Sequence, residues 1–112
     1  MIDVKRTVSK HGYGHTPGQS YNDVNVRIRQ RRKGWSVNVW QVWGSCQGDD
    51  EEHGRISIVG FGDELSEAME DAEARAREAD IDIKLLTQAV SQARNKAEEA
   101  IEEEEENDKE EN

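Results

Sequence analysis

From Leu65 onward the apolar residues keep one spacing: Leu65, Met69, Ala72, Ala76, Ala79, Ile83, Leu86, Val90, Ala93, Ala97 and Ala100, alternately four and three positions apart. That is a heptad seam, and it predicts helix from 63 to 101. Unbroken, such a helix is about 58 Å long at about 1.5 Å per residue. Strands of ordinary length, about 17–20 Å, leave its far end uncovered. The expected solution is a homo-oligomer held by Ala76, Ala79, Ile83, Leu86, Val90 and Ala93. The seam has one weak point. Residues 79–83 read Ala-Asp-Ile-Asp-Ile, an alternation of period two, and a break there folds the helix back into a hairpin on a monomer.

Ahead of the seam the period is two. Residues 2–8, 24–32, 35–43 and 55–61 read as four strands, with Asp63 as the N-cap of the helix. Residues 9–23 hold Gly12, Gly14, Pro17 and Gly18 and read as a loop, as does the polar stretch 44–54. The fold class expected is α+β, a four-stranded antiparallel sheet followed by one long C-terminal helix. Three regions result: a basic sheet module at 1–62, the helix at 63–101, and an acidic tail at 102–112 that is either a fraying helix end or disordered.

Charge follows the same division. Residues 1–62 carry nine Lys/Arg against six Asp/Glu, whereas residues 63–112 carry six against nineteen. The tail alone has eight acids, one Lys and no apolar side chain, so it can build no core. A +3 half beside a −13 half points to a polyanion site on the first and an appendage on the second.

The polyanion site is read from a hairpin. With Lys33-Gly34 as its turn, Arg31 faces Ser36, Arg29 faces Asn38 and Arg27 faces Trp40. Val24, Val26 and Ile28 then point to a face the helix can cover. The other face presents Asn25, Arg27, Arg29, Arg31, Asn38, Trp40 and Val42. Guanidinium groups bind phosphate by paired hydrogen bonds, and an indole stacks on an unpaired base. Lys33 and the loop residues Lys10, His11, Tyr13, His15 and Tyr21 add to the basic and aromatic set. The expected ligand is single-stranded DNA or RNA. The competing reading puts Trp40 in a dimer interface and leaves the arginines as a solvated row. Trp35 and Trp43 are assigned to the edge of the core.

The acidic tail is expected to modulate that binding, by lying over the arginine row as an internal polyanion, or to dock a protein partner. An alternative makes residues 63–112 a nucleic-acid mimic that blocks or recruits a host DNA-binding enzyme.

Other chemistry finds no pattern. Gly12-x-Gly14-x-x-Pro17 has Pro where the dinucleotide fingerprint needs its third Gly. Gly60-Phe61-Gly62 precedes a helix, but Asp63 and Glu64 would repel phosphate there. His11, His15, Cys46 and His53 match no common zinc spacing, so no metal and no cofactor are expected. No nucleophile signature is present, and no enzyme is expected. No apolar run approaches the roughly 20 residues of a membrane helix, and the first residues lack a secretory apolar stretch. A cytoplasmic protein, or one in the host cytoplasm for a viral chain, is the expectation.

Gly60-Phe61-Gly62-Asp63-Glu64-Leu65-Ser66-Glu67-Ala68, running on to Ala72 and Ala76, resembles the end of a double-stranded RNA-binding domain. That family places a Lys pair where Asp63, Glu64 and Glu67 stand, and its first helix has no counterpart here, so its function does not carry over. Four strands followed by a helix is similar in layout to the Whirly and transcriptional-coactivator proteins, helix-mediated oligomers on single-stranded DNA. A binding module with an acidic C-terminal tail resembles the phage and bacterial single-stranded-DNA-binding proteins. These likenesses imply sequence-tolerant DNA binding in replication or transcription.

Overall fold

The computed structural model describes residues 1–11, 20–45 and 51–110. Four strands, β1 (Asp3–His11), β2 (Ser20–Arg31), β3 (Gly34–Ser45) and β4 (Glu51–Gly62), pair antiparallel in the order β1-β2-β3-β4. Two helices follow, α1 (Leu65–Glu78) and α2 (Ile83–Glu110). The class is α+β, with a second, shorter helix ahead of the long one.

Alternation makes the sheet two-faced. Val4, Val24, Val26, Ile28, Val37 and Val39 are buried on one face. Both helices lie there, α1 over β3 and β4 and α2 over β1 and β2. They meet the valines with Ala68, Met69, Ala72, Ala76, Leu85, Leu86, Ala89, Val90, Ala93 and Ala97, all buried. The alanines of α1 fit the glycines of β4. A Cβ on Gly60 would stand 2.4 Å from the backbone nitrogen of Ala72, and one on Gly62 would stand 2.5 Å from that of Ala68. Helix backbone thus rests directly on strand backbone, the role Gly60-x-Gly62 has here.

The heptad seam is therefore spent on the chain's own sheet. Of the residues assigned to an oligomer, Ala76, Leu86, Val90 and Ala93 are buried within a single chain, Ala79 is half-buried, and only Ile83 is open at 60%. A long C-terminal helix is present as α2, and two facts remove the uncovered far end. The strands are longer than the sequence suggested, since three of them run to twelve residues, or about 40 Å. And the helix breaks at the alternating stretch.

The break has a defined geometry. Asp80 takes φ 60°, the Ile81 N–H donates to the Ala76 carbonyl and the Asp80 N–H to the Arg77 carbonyl. This is a Schellman stop, with Asp in the left-handed position that Asn and Asp tolerate better than most side chains. Ile81 is buried just beyond it. Asp82 then restarts the chain: its Oδ1 accepts the Leu85 N–H at 3.1 Å, as an N-cap does. Gln41 ties the junction to the sheet, taking the Asp82 N–H at 3.0 Å and donating to Asn22 Oδ1 at 2.7 Å. At the other helix start the sequence pointed to Asp63. The cap position is Glu64, and its side chain makes no capping bond.

Of the two readings of the tail, helix end or disorder, the described residues follow the first, because α2 runs on through Glu110. Glu is a good helix former, and propagation from an established helix needs no new nucleus. Ile101 is the last residue packed against the core. Past it, Glu102, Glu103, Glu104 and Glu105 are exposed.

Candidate functional site

Neither helix touches the second face of the sheet. Its geometry follows from the register. β2 and β3 pair with Arg31 opposite Gly34, Arg29 opposite Ser36, Arg27 opposite Asn38 and Asn25 opposite Trp40. The turn is therefore Arg32-Lys33, not Lys33-Gly34, and every expected cross-strand pair moves by two positions. Gly34 sits at φ 104°, a value only Gly adopts easily, which places it after the turn. A shift of two keeps each side chain on its face. Arg27, Arg29, Arg31, Asn38, Trp40 and Val42 thus do share one surface with Asn25.

The outer strands complete it. β1 brings Asp3 beside Arg29, Lys5 beside Arg27, and Thr7 beside Asn25. β4 brings Phe61 beside Ser36, Val59 beside Asn38, Ser57 beside Trp40 and Arg55 beside Val42. Three rows result: Asp3-Arg29-Ser36-Phe61, Lys5-Arg27-Asn38-Val59 and Thr7-Asn25-Trp40-Ser57.

Asp3 organises the basic corner. Its carboxylate accepts from Arg27 Nε at 2.9 Å and from Arg27 Nη2 at 2.7 Å, while Arg29 Nε lies 3.7 Å away. The paired bond from Arg27 holds the Asp3 carboxyl below its ordinary pKa and raises that of Arg27. Arg31 donates to Ser36 Oγ at 3.1 Å and keeps its side chain exposed. Lys5 stands over the Trp40 ring, 5.3 Å from its centroid, in a cation–π contact. Trp40 is consequently half-buried, not a free indole. Beneath these groups the sheet is tied laterally, by Thr7 to Asn25 at 2.6 Å, Asn25 to the Trp40 carbonyl at 3.5 Å and Ser57 to Asn38 at 3.2 Å.

The exposed apolar surface on this face is at β4. Phe61 is 63% exposed and Val59 37%. The Phe61 backbone is anchored, because its N–H donates to Asp71 Oδ2 on α1 at 3.0 Å. That bond, with Arg75 at 3.2 Å, holds the Asp71 carboxyl below the usual range. Phe61 is thus an aromatic ring on a fixed backbone at an open sheet face. Phe61, Val59, Lys5 and Arg55 were not in the sequence-based set. Their alternation is readable in the sequence, but the register of β1 and β4 beside β2 and β3 is not encoded by local spacing.

Other expected members lie elsewhere. Lys10 is on the helix-covered face, near Asp80, Asp82 and Lys84, because it is an even-numbered position of β1. Lys33 is exposed in the β2–β3 turn, next to Arg32. Tyr13, His15 and Cys46 fall outside the described residues. Trp35 and Trp43 are half-buried on the helix side, with Trp43 laid over Gly54. Among the described residues no three His, Cys, Asp or Glu side chains converge on a possible metal position. No helix among them is long and apolar enough to cross a membrane.

Among the residues whose side chains are described, the open face carries Lys5, Arg27, Arg29, Arg31 and Arg55 against Asp3 and Asp23, positive by three charges before Arg32 and Lys33 are added. Compared with protein-family models, curated proteins and solved structures, the chain matches none.

Proposed function

We propose that this protein binds single-stranded DNA, without strong sequence preference, on the open face of its sheet. The observation that carries this reading is the row Arg29-Ser36-Phe61, with Lys5 and Trp40 in the rows beside it. Arg29, Arg31 and Lys5 offer phosphate contacts. Phe61 offers a ring on which an unpaired base stacks, worth about 1–3 kcal/mol. Duplex DNA has no free base faces and gains nothing from that ring. A sheet face with alternating cations and apolar groups reads no base edges, so sequence tolerance follows. The secondary role of Trp40 is as a reporter: a strand lying over Lys5 perturbs the indole beneath it.

The test is a titration of the full chain with oligo-dT, followed by tryptophan fluorescence. Quenching is expected, with affinity falling steeply with salt. Three neutralised phosphates correspond to a slope of about −2 in log K against log salt. Phe61→Ala is expected to weaken binding by about 5- to 150-fold, the equivalent of one stacking contact. Absence of binding at low salt, or equal affinity for duplex of the same length, contradicts the proposal.

A further inference from the structure

The acidic end of α2 cannot lie over its own arginine row. It belongs to a continuous helix on the opposite face of the sheet. Glu104 passes the chain's own amino terminus at 3.8 Å, beyond Ile101, the last residue packed on the core, and the helix runs on to Glu110. Residues 102–110 carry seven acids and one Lys. This is a stiff polyanionic rod attached at the wrong side of its own binding face.

We infer that the open sheet face docks the acidic end of α2 from a second copy of this chain. Two features of the molecule select that occupant. The first is charge: −6 on residues 102–110 meets a face of +3, or +5 with Arg32 and Lys33. The second is reach. Nine helical residues span about 14 Å, close to the width of four strands about 4.8 Å apart. The contact joins different surfaces of the two copies, the rod of one and the sheet of the next. It is heterologous, so association is open-ended instead of stopping at a symmetric dimer. The inference rests on the same face as the proposal above and gives it a regulator. A second copy occupies the face as a polyanion, and a single strand displaces it by adding base stacking on Phe61 to its phosphate contacts.

Self-association is measured by sedimentation velocity in the absence of any nucleic acid, with the intact chain. At low salt the weight-average mass is expected to rise with concentration to at least twice that of the monomer, and to return to the monomer at high salt. Two full-length variants assign the contact. Arg29→Glu with Arg31→Glu, and Glu102→Lys with Glu103→Lys and Glu105→Lys, are each expected to stay monomeric. Mixed, they are expected to form a one-to-one pair that grows no further, because the first variant's unaltered acidic rod (−6) meets the second's unaltered basic sheet. A monomeric intact chain at low salt overturns the inference, as does association that survives high salt or both sets of changes. The outcome is separable from the binding reading. A chain that quenches with oligo-dT but stays monomeric sinks only the docking, and a chain that associates without binding oligo-dT sinks only the DNA reading.

Discussion

The two faces of the sheet are made by the same four strands and differ only in the parity of their residues. On β2 the even positions 24, 26 and 28 are Val, Val and Ile, all fully buried. The odd positions 27, 29 and 31 are Arg, with side chains at the surface. One face is dry, tightly packed and covered by two helices. The other holds ion pairs, a cation–π contact and an exposed ring. The comparison teaches where stability and function reside. Substitutions on the covered face should change folding and leave binding to follow. Substitutions on the open face should change binding and leave folding alone.

The largest effect expected is on the covered face. Ile28→Ala removes a side chain with no solvent exposure and should cost about 2–5 kcal/mol, read by urea denaturation. Gly60→Ala comes next. Its new methyl meets the Ala72 backbone, so α1 must lift, at about 1–3 kcal/mol. A stable Gly60→Ala protein would show that α1 is not seated as described. On the open face the order of effects reverses. Phe61→Ala should shift stability by no more than about 0.5 kcal/mol, since the ring is mostly in water, while losing DNA affinity as given above. If it instead unfolds the protein, the division between faces fails. The smallest effect is that of pH. The Asp71 and Asp3 carboxyls are held low by the Phe61 N–H and by Arg27 respectively. A lowered folded pKa adds stability above the unfolded value, near 4, and loses it as pH falls through the folded one. Stability should therefore decline as pH drops below about 4, and Asp71→Asn should flatten part of that decline.

Parity was the legible part of this sequence. The alternation in 24–32 and 35–43 gave the faces of β2 and β3, and a register error of two residues left them intact because the side-chain period is also two. The turn position is not legible, because Gly34 suits a turn and a strand start after a turn equally well. The helical seam was legible as a pattern but not as a partner. A heptad of small residues fits another helix, and it fits a sheet that offers glycine at the contact. Choosing between them needed Gly60 and Gly62 to be placed beneath Ala72 and Ala68, a contact between segments that local spacing does not encode. The end of the first helix was half-visible in the alternation of 79–83, whereas the left-handed Asp80 that makes the stop was not. The site was legible in its arginines. Phe61 is not legible as a site residue, because Gly60 and Gly62 on either side fit a turn as well as they fit a strand beneath a helix.

The most direct test of the account is a map of amide shifts by NMR as oligo-dT is added to the intact chain at moderate salt. Shifts are expected at Lys5, Arg29, Arg31, Asn38, Trp40, Val59 and Phe61, with α1 and the core-facing part of α2 unmoved. Shifts concentrated on α1 and α2, with the β2 and β4 outer positions silent, would contradict it.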